Sequence, residues 1–184
     1  FTMPDTPDNQ RQFPQQKSQR AGAGFPIARA CAVLSLATAA IHDAAIGPYE
    51  GKETGEGALL RRMLEGLQNG EVVVFDRYFC SFLMLAALSL RGVEFCARLH
   101  QRRPVDFRRG RRLGPDDHLI TWVRPKRPQW MSEESYQRIP ETMTLREVRF
   151  HVTIPGRRTA TLTVVTSLID PVAYPKEDIA KLYG

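Results

Sequence analysis

Cysteine is scarce in this chain. Cys31, Cys80 and Cys96 are far apart and odd in number. They offer no metal-ligand or redox spacing, which excludes a disulfide-built scaffold and predicts reduced core thiols in a cytosolic protein. Long apolar runs are missing as well. No stretch approaches the roughly 18 residues of a membrane span, and no signal peptide opens the chain. The four histidines, His42, His100, His118 and His151, show no HxxxH or similar spacing and read as structural. Acid is in short supply: 20 Asp and Glu face 26 Lys and Arg, for a net charge of +6 and a pI near 9.5. That excess suits a polyanionic partner, nucleic acid first and a membrane surface second. A start methionine is lacking too. Phe1 comes first, and the Pro-Asp-Thr-Pro after Met3 is a poor opening for a folded domain, so the expectation is an internal piece of a longer protein.

What is present suits a globular fold. The 184 residues are 42% hydrophobic, enough for one domain with a core. Residues 1–24 are rich in Gln, Pro and Gly without a period and read as extended loop. Residues 25–46 are apolar and Ala-rich; helix and strand compete there, and the alanines favour helix. Leu59, Leu60, Met63, Leu64 and Leu67 share one helical face, with Thr54 as candidate N-cap and Gly70 as stop. Val72-Val73-Val74-Phe75, bounded by Gly70 and Asp76, has the pattern of a strand covered on both faces. Residues 79–91 read as an apolar helix closed by Gly92, and 93–99 as another strand. Val148, Phe150, Val152 and Ile154 alternate with Glu147, Arg149, His151 and Thr153. Ala160, Leu162 and Val164 alternate in the same way, and Pro155-Gly156 between the two runs predicts a hairpin. Pro175 opens a last helix. This order is that of an α/β domain with a β-rich insertion.

The positive charge is local. From Arg98 to Pro128, ten basic residues face three acidic ones, a net of +7 that leaves the rest of the chain at −1. Arg102, Arg103, Arg108, Arg109, Arg111, Arg112 and Lys126 are the candidate DNA-binding residues. Arginine forks bind phosphate oxygens, and a run of them gives salt-dependent, largely sequence-independent affinity. The competing reading is a solvated charged face. Trp122 and Trp130 lie in or beside this segment, and packing is their simplest role.

Asp76 is the candidate catalytic and metal-binding residue. It stands at the carboxyl end of a predicted buried strand, where α/β sheets place their ligands. An N-cap of the following helix is the alternative reading. Its neighbour Arg77 suits a phosphate contact or a salt bridge equally. Among the other acids, Asp43 is the best second ligand within the chain, with a strand-end or turn role as its simpler reading.

Several ordered strings now carry a resemblance. They are Met3 to Gln10, Gly24-Phe-Pro26, Asp43 to Tyr49, Gly51 to Glu56, Val74 to Cys80, Arg98 to Arg103, Asp106 to Arg112, Thr121 to Pro128, and Tyr174 to Glu177. Together they resemble the Asp-Asp-Glu transposases of bacterial insertion sequences, specifically the insertion-sequence-four family, over essentially the whole chain. The resemblance implies a ribonuclease-H-like mixed sheet flanked by helices, with a β-strand-rich insertion. It implies that residues 1–98 belong to the catalytic core, 99–144 to the basic insertion, and 145–184 to the return into the core and the start of the late catalytic helix. Residues 25–46 then become two antiparallel strands.

The resemblance also implies the chemistry. Three carboxylates hold two Mg²⁺ (or Mn²⁺) ions for cleavage and transfer of DNA strands at the ends of the element. Asp76 matches the second of the three, and Tyr183 matches the tyrosine of the late-helix motif. The first Asp and the Glu match no position here, so the piece is expected to be inactive alone. The implied partners are terminal-repeat and target DNA, with a homodimer on DNA for the full-length protein, in the bacterial cytoplasm at the nucleoid. Two other readings stand beside this one: a basic DNA-binding module without catalysis, and a metal-dependent nuclease that recruits Asp43 beside Asp76.

Overall fold

The computed structural model describes residues 1–152 and 160–183. The chain divides into two compact units, Phe1–Leu67 and Gln68–Gly184.

The first unit is built on a hairpin. Strand β1 (Ala28–Leu34) pairs antiparallel with β2 (Ile41–Pro48), Ala28 opposite Pro48 and Ala32 opposite Ala44. Thus residues 25–46 hold strands, as the resemblance implies, and not the helix that alanine content favours. Cross-strand pairing outweighs a propensity difference of a few tenths of a kcal/mol per residue. The predicted loop before it contains a short helix, α1 (Pro7–Gln12), with Pro7 in its first turn and the Thr6 hydroxyl accepting the Asn9 amide at 3.2 Å. Helix α2 (Glu56–Met63) continues as one 3₁₀ turn, Leu64–Gly66, and packs on both strands through Leu59, Leu60 and Met63. Its N-cap is Gly55, not Thr54; the Thr54 hydroxyl donates instead to the Gly51 carbonyl at 3.2 Å. The helical pattern also ends before Gly70, whose φ of +87° serves the turn into the next strand.

The second unit carries one mixed sheet of six strands in the order β3-β4-β8-β7-β6-β5. These are β3 (Val72–Phe75), β4 (Glu94–Arg98), β5 (Arg111–Gly114), β6 (Asp117–Val123), β7 (Thr142–Val152) and β8 (Ala160–Thr166). Strands β3 and β4 are parallel and joined through α3 (Phe82–Ser89), an apolar helix packed on β4; all other pairs are antiparallel. β3 lies at the sheet edge, and Val72 is 42% exposed, so the unbroken apolar run does not mark a strand covered on both faces. The turn at Pro155-Gly156 lies outside the described residues, but β7 and β8 pair as predicted, Val148 with Val164 and Phe150 with Leu162. A short helix, α4 (Glu133–Arg138), lies between β6 and β7. Helix α5 (Lys176–Tyr183) follows Pro175 and closes a core of Cys96, Val148, Phe150, Val164, Leu168 and Ile179.

Asp117, His118, Arg146 and Glu147 are buried inside this sheet. Arg146 is 0% exposed and grips Asp117 through two bonds, Nε to Oδ1 at 2.8 Å and Nη2 to Oδ2 at 2.6 Å. On the other face of β7, Glu147 accepts the Trp122 indole N–H at 3.0 Å and faces His118 Nε2 at 2.9 Å. His118 Nδ1 faces the Arg109 carbonyl at 2.7 Å. Both ring nitrogens therefore meet oxygen atoms of the protein. The alternating pattern of β7 points Glu147 to solvent, whereas it is buried. The segment 99–110 covers that face: Phe107 lies on the His118 ring, with centroids 4.7 Å apart. Gly110 makes the approach possible, since a Cβ there would fall 2.0 Å from the Leu119 carbonyl oxygen.

Removing one half of a buried ion pair leaves the other charged and unpaired. Arg146→Ala is expected to lower unfolding stability by about 3–5 kcal/mol, while an apolar replacement of both partners, Asp117→Leu with Arg146→Met, recovers most of the loss. Urea unfolding of the three proteins checks this.

Candidate functional site

The parallel pair sets the corner where Asp76 stands. Asp76 follows the last residue of β3, and Leu99 and His100 follow the neighbouring β4, so the carboxyl ends of both strands open to the same side. The Asp76 side chain is 65% exposed. It does not cap α3: Ser81 does, its hydroxyl accepting the Met84 amide at 3.3 Å. Asp76 accepts the Arg77 amide, and the Arg77 guanidinium stands 3.8 Å from its carboxylate and donates to Gln101 at 2.9 Å. Of the two roles open to Arg77, the salt bridge is formed here.

Tyr183 reaches the same corner from the end of α5. Its hydroxyl donates to the Phe75 carbonyl at 3.4 Å, next to Asp76. Burial raises the Tyr183 phenol above its ordinary value, and the Asp76 carboxylate raises it further, while Arg98 opposes both. Two residues 107 positions apart in sequence are thereby brought together.

Among the described residues, no three His, Cys, Asp or Glu side chains converge as a cation cluster would require. Asp43, on β2 in the first unit, is tied to the Ala44 amide at 2.7 Å. A single exposed carboxylate does not fit the donor set of a two-ion site, and Asp76 offers only one ligand.

The basic residues divide by what they hold. Arg124 donates to the Tyr136 and Ile139 carbonyls at 3.0 and 2.7 Å, and Arg127 pairs with Glu133 at 2.9 Å; both fasten the segment around α4. Arg103 lies over the Trp122 ring, 3.6 Å from its centroid. Trp122 is 3% exposed, and its N–H is spent on Glu147, so it packs the sheet interior. Arg108 and Arg109 both reach Asp106, at 2.8 and 3.7 Å, and Arg108 holds the Asp106 carboxyl down to about 2. Their guanidiniums remain exposed with donors to spare. Arg112 leans on the Gly114 carbonyl at 3.4 Å. Arg102, Arg111 and Lys126 are exposed, and their side chains hold no partner among the described residues.

A cleft of about 430 Å³ opens beside these arginines, lined by Arg103, Arg109, His118, Trp122 and Glu147 among others. Its floor is the buried polar network that sequence reasoning missed. The available signal was charge at both Asp117-His118 and Arg146-Glu147, on two strands that otherwise alternate. Cys80 and Cys96 are buried, with thiols pushed up to about 11 and about 12, whereas Cys31 is only partly covered and is not a core thiol. No described helix is long and apolar enough to cross a membrane.

Comparison with known proteins gives one distant relative over the whole length. All 184 residues align at 24% identity with a protein of Escherichia coli (strain K12) described as the transposase InsG for insertion sequence element IS4. The chain spans 39% of that relative's length. No family model matches, and no solved structure matches.

The Tyr183 environment is open to test. Asp76→Asn removes the carboxylate that disfavours the phenolate, so the Tyr183 titration is expected to move down toward 10, the ordinary tyrosine value. Tyrosinate absorbance, read against Tyr183→Phe, measures it.

Proposed function

We propose that this chain is part of the catalytic domain of a DNA transposase, with a ribonuclease-H-like core extended by a basic insertion that includes strands β5 and β6. In this reading the arginines of 102–112 and Lys126 hold DNA phosphates. Asp76 supplies one ligand to a metal site whose other carboxylates lie outside these residues. The meeting of Asp76 and Tyr183 at the open end of the parallel pair supports it most, because the resemblance gives both residues a place in one site. The distant similarity to an insertion-sequence transposase over the full 184 residues points the same way.

In the complete enzyme, bound divalent ions would supply the activation of an attacking hydroxyl. The residues present here bind and orient. Exposed guanidiniums fix a phosphate backbone through paired N–H donors, and Tyr183 braces the carbonyl beside Asp76. With one carboxylate, these 184 residues bind Mg²⁺ weakly and do not cut DNA. The exposed arginines would equally serve a DNA-binding module without catalysis; in that case Asp76 has no metal role. Tight Mg²⁺ binding with nicking of supercoiled DNA by this chain would instead favour a self-sufficient nuclease.

Salt dependence tests the DNA surface. If Arg102, Arg108, Arg109, Arg111, Arg112 and Lys126 each neutralise a phosphate, affinity for a short duplex falls by about 10³ between about 50 and 200 mM salt. Arg111→Ala with Arg112→Ala is expected to reduce the log–log slope by about 2. Fluorescence anisotropy measures both, and an affinity indifferent to salt contradicts the reading.

A further inference from the structure

We propose that Arg146 is a positioning residue. It locks the segment leading into α5, and with it Tyr183, to the turn between β5 and β6 that follows the DNA-facing arginines. The link to DNA rests on the transposase reading; the positioning role does not.

The guanidinium has two uses. One side of its fork holds Asp117 at the start of β6. The remaining nitrogen, Nη1, leaves the sheet to donate to the Tyr174 carbonyl at 2.6 Å and to the Leu168 carbonyl at 3.5 Å. Those two carbonyls bracket the connector from β8 to Pro175, where α5 begins. A second tie runs the same way: Lys176 Nζ donates to the Pro115 carbonyl at 2.7 Å. Both ties end on residues 115–117. This turn is stiff, with Asp116 at φ +54° and its carbonyl accepting the Arg149 amide at 2.8 Å. Arg111 and Arg112 on β5 run directly into it.

Helix α5 needs such ties. It has eight residues, and only Ile179 is fully buried. A helix that short does not persist by its own hydrogen bonds. Its direction is set by the core under Ile179 and by the anchors at its start. If the connector shifts, Tyr183 leaves the Phe75 carbonyl. A buried guanidinium is also a costly way to fill space, since apolar residues of similar volume pack there as well or better. What it provides beyond packing is a fixed join between β7, β6 and the connector.

Hydrogen–deuterium exchange of the 184-residue chain tests this. Arg146→Lys keeps a cation for Asp117 but lacks the second prong. The amides of Ile179 to Tyr183 are expected to exchange on the order of tenfold faster, the equivalent of one lost hydrogen bond to a charged group. The amides of the β7–β8 ladder stay at the parent rate. Unchanged exchange in α5, or an equal rise in α5 and the ladder, overturns the proposal. If Arg146→Lys does not fold, Lys176→Met decides: its side chain is at the surface, faster exchange confined to α5 supports the positioning, and an unchanged rate overturns it. Duplex DNA is then added. Protection of α5 in the parent that disappears in the tie-breaking variant supports the coupling. A parent that binds DNA with no change at α5 overturns the coupling alone, and a parent that does not bind DNA faults the transposase reading while the positioning result stands.

Discussion

A guanidinium shut away from water constrains the whole second unit. Each of the three guanidinium nitrogens of Arg146 must find an acceptor or the buried charge costs several kcal/mol, and the fold supplies Asp117 on one side and two connector carbonyls on the other. Its neighbour Glu147 imposes the same demand on the opposite face and is met by His118 and Trp122. Because successive residues of β7 point to opposite faces, the two requirements hold material on both sides of one strand. The connector and α5 lie on the Arg146 side. The segment 99–110 lies on the Glu147 side, with Phe107 on His118 and Arg103 on Trp122. Among the described residues, no buried side-chain nitrogen or oxygen is left unpaired. The polar core is therefore a locating device as much as a source of stability.

That arrangement sorts the positive charge. Counted along the sequence, the basic segment is one block. In the fold, Arg124 and Arg127 are tied up in carbonyls and carboxylates around α4, and Arg103 lies on an aromatic face. Apart from Lys126, which follows β6, the exposed cations that remain lie on the segment before β5 and on β5 itself, an edge strand. Positive charge on an edge serves two ends. It discourages pairing with another strand, and it offers a phosphate backbone a row of fixed donors.

Much of the second unit was legible from pattern alone. The Val72–Phe75 strand, the apolar helix after it, the β7–β8 pairing and the helix after Pro175 follow from runs, periods and punctuation. Local signals failed where a distant segment decided the outcome. Residues 25–46 are strands because each supplies the other's hydrogen bonds, which composition does not record. Asp76 does not cap the next helix because Ser81, five residues on, lies nearer its start. The β3 run resembles a fully covered strand, yet its position at the sheet edge depends on the order of six strands. Asp76 and Tyr183 were named for one site only through resemblance; no spacing rule joins residues so far apart. The alternation of β7 puts Glu147 on the solvent side, and its burial was not legible because the segment that covers it is itself polar and basic.

If the proposed transposase reading holds, the open end of the β3–β4 pair, beside Tyr183, binds a divalent cation through Asp76. Paramagnetic broadening by substoichiometric Mn²⁺, recorded on the chain bound to a short duplex, tests it directly, because even a weak single-carboxylate site is detected. The account predicts that resonances of Asp76, Arg77 and Tyr183 broaden first, and that Asp76→Asn abolishes the effect. Broadening centred on Asp43, or on the acids at the start of α5, with Asp76 unaffected, would contradict it.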